Sequence, residues 1–136
     1  PEEITLQKLE EIFQSASFTT KNETAGGPFT VLLGPNFEIG VAMYPVPNTI
    51  NFTAQFPIKP NVPELDRLRL ANTINYQGGG LYMADFELQN GSNIRVGRTN
   101  FYDQGISEWH ILAKFYFFVE ILGDAFNQAD ADEILE

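Results

Sequence analysis

The run Ser107–Phe126, SEWHILAKFYFFVEILGDAF, constrains the fold more than any other stretch of this chain. Ile111, Leu112, Phe115, Val119, Leu122 and Phe126 recur at helical spacing and make one apolar stripe. Ser107 stands where a hydroxyl can cap the first turn, and Glu108 where the helix dipole favours a carboxylate. At about 100° per residue, a second apolar row, Trp109, Ala113, Phe117 and Ile121, falls on another side of the same helix. Only His110, Lys114 and Glu120 interrupt the aromatics there. A helix with so much apolar circumference must be covered on more than one side. The second row is therefore expected to be a contact surface for another chain or for another part of this one. The segment is too short and too charged for a membrane span, which needs about 20 apolar residues.

The rest of the chain supplies a sheet for this helix to lie on. A first helix is expected over Thr5–Ser15, with Leu6, Leu9, Ile12, Phe13 and Ala16 on one face and Thr5 as its cap. The stretch from Phe18 to Pro28 is turn chemistry, with at most a short strand at its start. Strands are expected at Phe29–Leu33, Phe37–Tyr44 and Thr49–Phe56. In the third, Ile50, Phe52, Ala54 and Phe56 oppose Thr49, Asn51, Thr53 and Gln55, the mark of an antiparallel sheet with one wet face. Pro57, Pro60 and Pro63 form a stiff connector into a second helix, which runs through Leu65, Leu68, Ala71 and Ile74 and ends before Gly78-Gly79-Gly80. Leu81–Leu88 and Ile94–Phe101 make strands four and five. A three-residue loop Asn90-Gly91-Ser92 sets Phe86 opposite Val96, Leu88 opposite Ile94 and Glu87 beside Arg95. The expected fold is α+β in two layers: a five-stranded, mostly antiparallel sheet with three helices in the order αβββαββα. Residues 1–126 form one domain, and residues 127–136 an acidic tail that frays unless Ile134 and Leu135 make a docking turn.

Charge narrows the partners. Eight Lys and Arg against eighteen Asp and Glu give a net charge of −10, which repels phosphate backbones and anionic membranes. Neither nucleic acid nor membrane is an expected partner, whereas a basic protein segment is attracted. Twelve phenylalanines in 136 residues require a packed interior. Without cysteine there is no disulfide, thiol catalysis or thiolate metal site. The opening PEEITLQ has no basic or apolar leader pattern, so a cytoplasmic location is expected.

Candidate chemistry is sparse. His110 is the one histidine, with no second histidine to share a metal and no triad partner in view. Gly78-Gly79-Gly80 follows a helix, whereas phosphate cradles place their glycines before one. Asp130, Asp132 and Glu133 lack the glycine and closing glutamate of a calcium loop. No catalytic residue, metal ligand or cofactor is expected. Asp85 and Glu87 alternate onto the wet face of a strand. Arg98 alone is out of place: alternation puts it on the apolar side beyond Val96, where it snorkels to the sheet end or anchors a ligand in a pocket.

The opening ITLQKLEEIF, the proline-rich exit from the third strand, the helix carrying Leu70–Asn75, and the run LRLANTINYQGGGLYMADFELQNGSNIRVG with its strand–NG–strand hairpin resemble the bacterial YbjN-like family. That family is labelled as sensory transduction regulators and is similar in fold to class I type III secretion chaperones. The resemblance spans Ile4–Phe126; Gly78-Gly79-Gly80 and the acidic extension depart from its pattern. It implies a small acidic cytosolic homodimer that binds a protein client or regulatory partner and catalyses nothing. The alternative is a small-ligand-binding domain or an unassigned enzyme, with a pocket between sheet and long helix and Arg98 as its polar anchor.

Overall fold

The computed structural model describes residues 4–43, 49–76, 81–87, 93–102, 107–128, 130–131 and 134–135, without the side chains of 81–87 and 128. Helix α1 (Leu6–Ser15) opens at Thr5, whose hydroxyl accepts a hydrogen bond from Lys8 N at 3.1 Å, as its position in the sequence suggests. The helix buries Leu9, Ile12 and Phe13. It closes in a Schellman turn: Phe18 N donates to Phe13 O and Ser17 N to Gln14 O, both at 3.0 Å. Ser17 carries the left-handed backbone of this turn, with φ +71°. The turn brings the Phe18 ring to 5.8 Å from Phe13.

The sheet holds six strands, β1 (Thr19–Asn22), β2 (Phe29–Gly34), β3 (Phe37–Ala42), β4 (Thr49–Pro57), β5 (Leu81–Glu87) and β6 (Asn93–Phe101), in the spatial order β1-β2-β3-β4-β6-β5. Every neighbouring pair is antiparallel. The two-layer α+β reading holds, and the strand beyond the expected five is β1, in the stretch where at most a short strand was foreseen. It is an edge strand, and Thr20 Oγ1 and Asn22 Nδ2 both donate to the Glu10 carboxylate at 2.6 Å, tying β1 to α1. On the opposite face Lys21 pairs with Glu38 at 2.8 Å.

Alternation sorts the faces as the sequence indicates. Phe29, Val31, Ile39, Val41, Ile50, Phe52, Ala54, Ile94 and Val96 are buried in the core. Thr30, Glu38, Thr53 and Gln55 lie on the other side. The β5–β6 register differs from expectation. Phe86 pairs with Ile94, Glu87 with Asn93 and Asp85 with Arg95, and a bulge between Met83 and Asp85 sets Met83 opposite Val96. From Asp85 to Glu87 the pairing is two residues off the expected one, a shift that hydrophobic alternation cannot detect, and before the bulge it is three residues off. Arg95 instead meets Gln55 across β4: with the amide oxygen turned toward it, Nε and Nη2 donate at 3.2 and 3.3 Å.

Helix α2 (Glu64–Tyr76) packs against β5 and against α3 (Glu108–Gln128). It buries Leu70, Ala71 and Ile74, whereas Leu65 and Leu68, expected on the same line, face outward. After α3, the described residues dock on the body. Ala131 and Leu135 are buried, and Leu135 forms an antiparallel bridge with Ile58 just past β4. The expected glycine junction 78–80 lies outside the described residues.

Candidate docking surface on the long helix

Ser107 caps α3 as its sequence position suggests: its Oγ accepts from His110 N at 3.2 Å, and its carbonyl accepts from Ile111 N at 3.1 Å. The same hydroxyl lies 2.9 Å from His110 Nδ1. His110 is exposed and stands edge-on to Trp109, and its one described hydrogen-bond partner is its own helix cap. Among the described residues no group of three histidine and carboxylate side chains could hold a metal. No described helix is long and apolar enough to cross a membrane.

The inner wall of α3 is Ile111, Phe115, Phe118, Leu122 and Ala125, all buried. It is rotated from the stripe read in the sequence, leaving Leu112, Val119 and Phe126 half-buried at its border and bringing Phe118 fully inside. The rotation follows from what the sheet and α1 present. Phe115 packs edge-to-face on Phe13 at 4.9 Å, on Phe18 at 5.4 Å and on Phe52 at 5.5 Å. Phe118 meets Phe52 at 6.0 Å, and Phe126 meets Phe56 at 4.8 Å. A helix that packs on both α1 and the sheet is held from two directions at once, and the compromise turns Phe118 inward.

That rotation decides the outer strip. Trp109 is 71% exposed, Tyr116 56% and Phe117 42%. Ala113 lies half-buried between Trp109 and Phe117, and Ile121 is half-buried and packed on the core. Glu120 takes the next outward position. Of the four residues expected on this row, Trp109, Ala113 and Phe117 share the strip and Ile121 leaves it. Tyr116 joins it, seven residues on from Trp109, where a helix returns to the same side. Centring the inner wall on Phe115 and Phe118 would have revealed Tyr116 from sequence.

Arg98 stands at the strip's edge. It lies on the apolar side of β6, opposite Phe52 of β4, as alternation requires. Its guanidinium lies over the Phe117 ring, 4.7 Å from the centroid, and Nε donates to Asn100 Oδ1 at 3.3 Å. Asn100 is itself buried, and its Nδ2 donates to Ile50 O at 3.2 Å. Partial burial lowers the Arg98 pKa from its ordinary value; a guanidinium starts high enough to stay charged at neutral pH. Arg98 thus does what a snorkelling arginine does, covering an aromatic with its planar cation. Two shallow grooves of about 550 and 830 Å³ lie elsewhere, over Thr30, Gly40 and Thr53 on the polar face of the sheet.

The fold has a counterpart among solved structures. A crystal structure of YbjN from E. coli, described as "a putative transcription regulator", superposes with a TM-score of 0.77 over 99% of this chain and 99% of that one, at 15% sequence identity. The fold is that of YbjN. The likeness to YbjN lies in the path of the backbone, since at this identity most side chains differ. No family model and no curated protein sequence matches the chain.

Proposed function

We propose that this chain is a non-enzymatic, cytoplasmic protein-binding domain of chaperone-like or regulatory type that pairs with a second copy of itself through the outer strip of α3. The observation that carries the reading is the exposure of Trp109, Tyr116 and Phe117 together on one helix face. Contiguous exposed aromatics mark interaction surfaces, and Trp and Tyr are the residues on which binding energy concentrates. Charge favours a second copy as the occupant. Arg98, His110 and Lys114 flank the first half of the strip, and Glu120 and Asp124 follow on the second. Two α3 helices packed antiparallel bring the basic half of one toward the acidic half of the other. The likeness to YbjN, described as a regulator, is compatible with binding in place of catalysis. A client then meets the remaining, strongly acidic surface and is basic in turn.

Light scattering across a concentration series tests this. The chain is expected to reach twice its 15.3 kDa mass, and Phe117→Glu to return it to 15.3 kDa with an unchanged circular dichroism spectrum. A mass that stays at 15.3 kDa throughout, or a dimer indifferent to Phe117→Glu, overturns the proposal.

A further inference from the structure

Helix α3 carries a glycine that nothing in the described chain requires. Gly123 lies inside the helix, in its C-terminal half, and is exposed. Its backbone is not left-handed, and a Cβ built on it meets no described atom within 4 Å. Gly40 shows the contrast: a Cβ there would stand 2.9 Å from Thr53 Oγ1, so the sheet itself excludes a side chain. After proline, glycine is the residue that most weakens a helix interior. Neither backbone conformation nor internal packing accounts for Gly123. A bare backbone on an outer helix face suits close approach by something from outside.

Its place on the helix says what approaches. Trp109, Tyr116 and Gly123 are spaced by seven, so they return to nearly one line on the outer side, two large exposed rings and then bare backbone. Such a row is its own complement. Turned end for end about Tyr116, it sets Trp109 of each copy over Gly123 of the other and brings the two Tyr116 rings together at the axis. The same register puts Glu120 of one copy at a height between His110 and Lys114 of the other, which matches opposite charges. A parallel pair would set Trp109 against Trp109 and Gly123 against Gly123, crowding one end and leaving a gap at the other.

We infer that Gly123 is a notch that receives Trp109 of a second copy, and that this knob and notch set the pair antiparallel with its two-fold axis at Tyr116. The inference rests on the self-pairing proposed above and adds its register. Phe117, with Arg98 over its ring, borders the seam on one side. A side chain at position 123 holds the two helices apart and so selects against the pair without touching the fold.

Folding and association should respond to this position with opposite signs. Gly123→Leu is expected to raise the urea midpoint measured where the chain is a single copy, and to weaken self-association about tenfold or more in sedimentation velocity. Exchanging knob and notch within one chain, Trp109→Gly with Gly123→Trp, is expected to restore association. The chain has no cysteine, so cross-linking reads the register directly. Tyr116→Cys is expected to form a disulfide between copies under mild oxidation. Gly123→Cys alone is not, because in this register the two positions lie about 21 Å apart along the helices. An unaltered chain that stays single at every concentration overturns the self-pairing and the notch together. A dimer broken by Phe117→Glu yet indifferent to Gly123→Leu overturns the notch alone, as does Gly123→Cys cross-linking as readily as Tyr116→Cys. A lowered urea midpoint, or failure to fold, in Gly123→Leu would show that the glycine serves the fold and overturns the notch as well.

Discussion

Phe115 has no exposed surface and sits among the rings of Phe13, Phe18, Phe52 and Tyr116, whereas Phe117, two residues later, keeps 42% of itself in solvent under a single arginine. Both are phenylalanines on one helix, so composition and propensity treat them alike. The difference is rotational. About 200° of helix separates them, enough to carry one ring into the junction of α1, α3 and the sheet and the other out toward water. The comparison teaches that the aromatic content of α3 serves two purposes. One side closes the core, and the other exceeds what the core can use.

Alanine substitutions at the two sites should separate these roles. Phe115→Ala removes a ring from a fully packed site and is expected to cost about 3–5 kcal/mol of unfolding free energy. Phe117→Ala loses a partly exposed ring and a cation–π contact, about 1 kcal/mol at most. Urea unfolding of both variants at low protein concentration measures the gap. Equal losses would mean that the outer strip is core after all.

A smaller effect sharpens the boundary between the two sides. Phe18 covers Phe115 and also touches Tyr116, at 5.4 and 5.9 Å, and its position depends on the left-handed turn at Ser17. Glycine takes that backbone without strain. Ser17→Gly is expected to stabilise the fold by roughly 0.5–1 kcal/mol and to leave the outer strip unchanged. Destabilisation in the same urea assay would show that the turn does not set the position of Phe18.

Much of this fold is legible in the sequence because period-two alternation and helix caps are local signals. Thr5 and Ser107 cap where expected, and the faces of β2, β3, β4 and β6 follow from alternation alone. What the sequence hides is whatever depends on a second element. The β5–β6 register differs by two residues after the bulge, which alternation cannot detect, and by three before it, because alternation does not announce the bulge itself. Leu65 and Leu68 look like core until α2 is seen to turn Leu70, Ala71 and Ile74 toward β5 and α3. Ile121 and Tyr116 exchange places because α1 and the sheet together rotate α3. Asn51 reads as a wet-face residue, yet it is buried and accepts a hydrogen bond from Thr99 Oγ1 of β6, a pairing that exists only across strands. Of the four residues read as the docking row, Trp109 and Phe117 are exposed and Ala113 and Ile121 half-buried, and Arg98 lies on the apolar side as alternation required.

Trp109 is the chain's one tryptophan and the most exposed member of the strip, so its fluorescence reports on the central claim without a label. Emission and acrylamide quenching would be followed from dilute to concentrated protein, alongside Phe117→Glu. A second copy on the strip predicts a blue shift and loss of quencher access with concentration, both absent in the variant. Emission and quenching that stay water-like and constant across the whole range would contradict it.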